Sequence, residues 1–284
     1  MFGFLNVYKP QGKTSHDVVG ILRRITGVKQ IGHTGTLDPF AEGVLPICIG
    51  KATRLIEYLK DDKAYVGTVQ LGKSTTTYDV EGEVAGINDD IKPDIQEIEQ
   101  ALQCFRGEIT QLPPIYSAIK VKGKKLYEYA RKGEEVKIEP RVVNIYKLEV
   151  VNYNKELRQL ELYIECSKGT YIRSIANDLG EKLGTYGHLI KLIRVKAGNF
   201  AVNKAVKLEN LQTKEDVQNN LICPLEYLDY PKYELNDTEK KLVSNGMPIN
   251  VNFDDGFVLL IYKNNLIAVA EACESKLLCR KVFV

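Results

Sequence analysis

Gly32-His33-Thr34-Gly35-Thr36-Leu37-Asp38-Pro39, continued by Phe40-Ala41-Glu42-Gly43 and then by Val44-Leu45-Pro46-Ile47-Cys48-Ile49, is the stretch on which the reading of this chain turns. The apolar run at its end is short, rich in β-branched side chains and closed by Gly50, which predicts a buried strand. The segment before it sets one carboxylate, Asp38, among turn-forming residues. Asp, Gly, Thr and Pro form turns for local reasons, and Asp38-Pro39 can be no more than the start of one. The competing reading is a loop rich in hydroxyls and backbone donors that holds a single carboxylate against a rigid strand, where reactive groups are commonly displayed. A lone carboxylate so held can serve as a nucleophile or as a general base.

The rest of the chain narrows the setting. A length of 284 residues suffices for one large domain and a small one. The formal net charge is only +2, so a nucleic-acid partner requires local clustering of charge rather than a global excess. Six scattered cysteines (Cys48, Cys104, Cys166, Cys223, Cys273, Cys279) include no C-x-x-C pair and fall mostly in apolar patterns. They read as reduced core thiols of a cytoplasmic protein. His16, His33 and His188 have no zinc-ligand spacing with them, so no metal is expected. The N-terminal stretch Met1 to Val7 lacks the basic flank of a signal peptide, and Phe257 to Tyr262 is too short to span a membrane.

Periodicity predicts strands over residues 4–8, 65–71, 142–152, 157–166, 188–195, 257–262, 266–272 and 278–284. In the second of these, Tyr65, Gly67, Val69 and Leu71 share a face. Helices are expected after Thr14-Ser15, over residues 51–59, over 94–105, from Gly169-Thr170 through Leu183, and near 237–243. Residues 73–82 read as a polar loop, Tyr153-Asn154-Lys155 and Asn264-Asn265 as turns, and Lys191 and Arg194 as exposed. Lys9, beside a Pro-Gly turn, is read as a solvated lysine or a phosphate contact. Arg173 falls in the first turn of a helix, where the dipole disfavours a cation. It therefore calls for a carboxylate partner elsewhere, and Asp38 is a candidate.

Residues 120–147 hold nine basic and four acidic side chains, an excess of five in a chain whose total is +2. Tyr116, Tyr127, Tyr129 and Tyr146 are interleaved with them. Cations neutralise phosphates and rings stack on exposed bases, so the segment suits a nucleic-acid surface. A solvated helix-and-hairpin face has the same composition. Beyond Leu225 the character changes to short strands, giving a small β-rich unit of about sixty residues, near the lower size at which a core holds itself together.

Taken together, GHTGTLDPFAEGVLPICIG (32–50), LPPIYSAIKVKGKKLYEYARKG (112–133) and CSKGTYIRSIANDLG (166–180) resemble the tRNA pseudouridine-55 synthases of the TruB type, with Lys9 to Ser15 also fitting. The motifs keep the family's order over most of residues 1 to about 200. The resemblance implies an α+β fold. Its catalytic domain, residues 1–224, has a mixed, mainly antiparallel sheet with flanking helices. An RNA-gripping insertion occupies about 112–141, and a small PUA-like RNA-binding domain spans 225–284. The insertion points to a bacterial stand-alone enzyme rather than to the guide-RNA-dependent relatives.

By the same resemblance Asp38 is the catalytic nucleophile, Tyr65 stacks on the target uracil and handles the proton at C5, and Arg173 pairs with Asp38. His33 helps organise the flipped T-loop, Tyr171 and Leu192 line the uracil pocket, and Lys9 contacts RNA. From the clustered charge, Lys124 and Lys125 are expected to grip RNA phosphate. Expected are a tRNA substrate, no cofactor, no membrane, no required protein partner and a monomer. Whether the carboxylate attacks C1′ or C6, or deprotonates C2′, is open at this level. Two further readings compete: an RNA-binding or tRNA-folding protein without essential catalysis, and a base-excising glycosylase.

Overall fold

The computed structural model describes residues 1–284. Its centre is a ten-stranded sheet. Across it, in order, run Val206–Lys207, Gly3–Lys9, Glu42–Ile49, Gly187–Ala197, Lys63–Leu71, Gln159–Cys166, Arg141–Asn154 and Gly107–Gln111. Ile31–His33 joins Glu42–Ile49, and Phe200–Ala201 joins Gly187–Ala197. Only two of the pairings are parallel, Gly3–Lys9 with Val206–Lys207 and Gly187–Ala197 with Glu42–Ile49, so the sheet is mixed and mainly antiparallel, as expected. A second, five-stranded sheet orders Lys232–Glu234, Gly256–Tyr262, Asn265–Cys273, Lys276–Val282 and Ile249–Asn250.

Strand Lys63–Leu71 lies in the middle of the large sheet, between Gly187–Ala197 and Gln159–Cys166. Its alternation holds: Tyr65, Gly67, Val69 and Leu71 face inward, while Val66, Thr68 and Gln70 are partly exposed. Helix Ile172–Lys182 packs on that face through Ile172, Ile175, Ala176 and Leu179. Each such buried apolar side chain contributes about 1.5–3 kcal/mol. Gly67 permits the close packing, because a Cβ there would lie 3.2 Å from Leu189 Cδ1 and 3.6 Å from Ile172 Cγ2.

The helices begin where capping chemistry places them. Thr14 and Asp17 form a reciprocal capping box at Ser15–Thr26, which ends at Gly27 with φ of 71°. Asp94 and Glu97 do the same for Ile95–Leu102.

Several expectations need correction. The segment Gly50–Tyr58 is a 3-10 helix. Residues 73–82 are not only a loop: Lys73–Thr75 pairs with Val84–Ile87. The late turn centres on Lys263 and Asn264, both at positive φ, rather than on Asn264-Asn265. Of the cysteines only Cys48 and Cys166 are buried, while Cys104, Cys223 and Cys273 are exposed and Cys279 is intermediate. Arg194 is fully buried, not exposed, and Lys9 is fully buried, not solvated. The reason in both cases is a supply of inward-facing backbone carbonyls, described below.

Candidate active site

The loop Thr34 to Ala41 is fixed from several sides before it presents any side chain. The Thr34 amide donates to the Pro46 carbonyl at 3.1 Å, and the Gly12 amide to that of Pro39 at 2.8 Å. Ser15 Oγ donates to the Leu37 carbonyl at 3.1 Å and accepts from the Leu37 amide at 2.9 Å. Lys9 Nζ donates to the carbonyls of Pro39 at 3.2 Å, Pro10 at 2.9 Å and Lys13 at 2.6 Å. Arg194 donates through Nε to the Val44 carbonyl at 2.7 Å, through Nη1 to Thr36 at 3.2 Å and through Nη2 to Gly35 at 3.0 Å. Two fully buried cations thus grip the backbone on either side of Leu37-Asp38. Burial pushes the Lys9 ammonium down to about 8. Gly43, at φ of 108°, lets the Arg194 backbone close in, since a Cβ there would stand 2.3 Å from the Arg194 carbonyl oxygen.

From this braced loop the Asp38 carboxylate meets Arg173. Nη2 donates to Oδ1 at 3.2 Å, and Nε lies 3.0 Å from Oδ2 without hydrogen-bond alignment. The guanidinium is nearly buried and serves two carboxylates, because its Nη1 is also 3.2 Å from Asp79 Oδ2. It further donates to the carbonyls of Thr77 at 3.2 Å and Tyr116 at 3.1 Å. Asp79 is itself held by the Thr77 hydroxyl at 2.5 Å and the Glu81 amide at 2.9 Å. Burial raises the Asp38 carboxyl above its ordinary value; Arg173 opposes this and the charge of Asp79 adds to it. The predicted Asp38–Arg173 partnership is therefore present as an ion pair, and Asp79 extends it.

A cleft of about 330 Å³ opens over Asp38, lined among others by Thr34, Lys63, Tyr65, Ser117, Tyr171, Arg173 and Leu192. Burial pushes the Tyr65 phenol up to about 12, so it is neutral through the physiological range. The Tyr171 backbone is locked by Gln111, whose Oε1 accepts from the Tyr171 amide at 2.7 Å and whose Nε2 donates to its carbonyl at 2.9 Å.

The structure brings together Asp38, Tyr65, Tyr171, Arg173 and Leu192 of the residues singled out in the sequence. It does not bring Lys9, His33, Lys124 or Lys125 into the cleft lining. His33 precedes the lining residue Thr34 and stacks edge-on with His16, ring centres 5.6 Å apart. Burial, with help from His16, pushes it down to about 4, leaving it neutral at physiological pH. Lys124 and Lys125 sit on the hairpin Lys120–Lys125, over the rings of Tyr129 and Tyr127. Lys9 acts on the loop from behind. Asp79, Gln111 and Arg194 were missed. A signal existed only for Arg194: it is two residues from Leu192 on a strand, hence on the same inward face.

The TruB family pseudouridylate synthase N-terminal domain matches residues 23–172, and the tRNA pseudouridylate synthase B C-terminal domain matches 173–228. A tRNA pseudouridine synthase B of Streptococcus gordonii is 42% identical over 292 residues, covering 100% of both chains. One of Clostridium tetani is 44% identical over 251 residues, covering 88% of this chain and 86% of that one. Among solved structures, a crystal structure of a Cbf5-Nop10-Gar1 complex superposes with a TM-score of 0.72 at 26% identity, covering 100% of this chain and 85% of the matched one.

Proposed function

This chain belongs to the TruB family of pseudouridylate synthases and is a tRNA pseudouridine synthase, and from that premise we propose that it converts the uridine at position 55 of the T-loop, with Asp38 as the attacking carboxylate. The observation that carries the assignment to Asp38 is the Arg173 guanidinium bridging Asp38 and buried Asp79 at the floor of a cleft that also holds Tyr65.

The isomerisation breaks the N1–C1′ bond and forms C5–C1′. The C5 proton leaves, N1 gains one, and no net oxidation occurs. The base has to leave its stack to reach Asp38, at a cost of a few kcal/mol. Tyr65 and Leu192 offer an apolar wall that offsets part of it, with Tyr65 entering as a neutral phenol that stacks on the ring and stands near C5. Arg173 keeps Asp38 ionised against its burial and holds both oxygens in one orientation. The same pose serves attack on C1′ or C6, or removal of a proton from C2′. Tyr171 closes the pocket, and His33, neutral and lying just outside, faces the displaced loop.

The RNA is held elsewhere. We assign the grip on phosphate to the insertion at about 112–141, through Lys124 and Lys125, and an accessory RNA-binding role to residues 225–284. Lys9 is assigned to bracing the Asp38 loop rather than to phosphate. No helix is long and apolar enough to cross a membrane.

The test is pseudouridine formation in an unmodified tRNA transcript by the wild type and by Asp38→Asn, without added cofactor and with chelator. Activity in the wild type, lost in the variant while tRNA still binds, is the expected result. A fully active Asp38→Asn protein would remove Asp38 from the chemistry. A wild type that binds tRNA without modifying it would leave an RNA-binding role instead.

A further inference from the structure

The insertion reaches the cleft at Tyr116, Ser117 and Ala118. The Tyr116 carbonyl accepts from Arg173 Nη2 at 3.1 Å, and Ser117 is a lining residue only 5% exposed. The backbone of Ser117 is fully engaged: its amide donates to the Ile115 carbonyl at 3.0 Å and its carbonyl accepts from the Tyr127 amide at 3.2 Å. Its side-chain hydroxyl, by contrast, is buried with no hydrogen-bond partner. A buried hydroxyl left unpaired destabilises a fold, so one that persists beside a reactive cleft calls for a functional explanation. Ser117 and Tyr171 line the same cleft, so the Tyr171 phenol is the partner within reach of the hydroxyl. The backbone of Tyr171 is clamped by Gln111, so the phenol end of the ring is the part left to be set.

We infer that Ser117 is a positioning residue: with the target base in the cleft, its hydroxyl hydrogen-bonds the Tyr171 phenol and fixes that ring against the flipped base. Tyr116 does the corresponding work on Arg173 through its carbonyl. The segment assigned to gripping the RNA then also shapes the base pocket. The inference rests on the functional reading given above.

Ser117→Ala tests it, alone and in a Tyr171→Phe background, by single-turnover pseudouridine formation at saturating tRNA, tRNA affinity and thermal midpoint. Removing an unpaired hydroxyl leaves the fold intact, so the midpoint stays or rises and affinity is unchanged. The single-turnover rate falls about three- to tenfold, the effect of one neutral hydrogen bond. In Tyr171→Phe, which lacks the partner hydroxyl, Ser117→Ala causes no additional loss. An unchanged rate, an equal loss in both backgrounds, or a rate loss that tracks a lowered midpoint overturns the inference. An inactive wild type in the same assay would instead overturn the functional reading on which it stands.

Discussion

At the scale of single residues, the site is an arginine shared by two carboxylates. Asp79→Asn removes the charge that holds the far side of Arg173 and leaves Asp38 in place. Since small misplacements of reacting groups cost up to about a hundredfold, we expect a roughly ten- to hundredfold fall in single-turnover rate with tRNA affinity intact; equal losses in both would mean Asp79 only supports folding. The pH dependence has a definite sign. Asp38 must be ionised to attack, and burial, with Asp79, holds its carboxyl above the ordinary 3.8. The rate therefore falls on acidification through a midpoint above that value. Asp79→Asn, by deleting a like charge, moves the acid limb to lower pH, and a limb that stays or moves up contradicts the proposed electrostatics. Arg173 stands out in the sequence at the wrong end of a helix, whereas Asp38 taken alone reads equally as a turn residue and is singled out by the resemblance of the motif around it. Asp79 was not legible, since Thr76 to Glu81 reads as a surface loop and what carries it inward, a bridge to Leu189 and the ion pair with Arg173, lies far away in sequence. Joint exposure of Lys191 and Arg194 is ruled out by geometry, since residues three apart on a strand face opposite ways, and only Lys191 is exposed.

At the scale of elements, local chemistry was well written. The Thr14–Asp17 and Asp94–Glu97 boxes mark their helices, and alternation marks the central strand. The short pairings were illegible, because Ile31–His33 and Gly107–Gln111 owe their form to neighbours distant in sequence. Close approach is equally non-local: a Cβ on Gly180 would lie 2.2 Å from the Gly187 amide nitrogen. Gly180→Ala should therefore destabilise by about 1–3 kcal/mol, read as a lower urea midpoint; an unchanged midpoint would mean that the helix and strand can part freely. For the insertion, Lys124→Ala with Lys125→Ala should weaken tRNA binding and flatten the slope of log affinity against log salt by about 1.5, the share of two phosphate contacts. An unaltered slope would remove these lysines from the phosphate grip. Their stacking on Tyr129 and Tyr127 preorganises the ammonium groups rather than cancelling them.

At the scale of the whole molecule, the small sheet has an apolar cluster of its own, built on Leu235, Val258, Leu260 and Leu277. A second cluster joins Phe4, Val44, Cys48 and Phe200 of the large sheet's side to Leu259, Leu266, Val269 and Phe283 of the small one. A chain ended at residue 224 would lose five of that cluster's thirteen buried members and uncover the other eight, so we expect it to bind hydrophobic dyes and to unfold well below the full chain; equal midpoints would make the two parts independent. The sequence marked the change of character near Leu225 but not this shared core, since nothing local says which apolar face meets which. The bracing of the Asp38 loop by Lys9, Ser15 and Arg194 carries over into time. The reacting group has nothing left to search for when a substrate arrives, so the delay between encounter and reaction belongs to the RNA, and weakening the stacking around the target uridine should hasten turnover where loosening the protein would slow it.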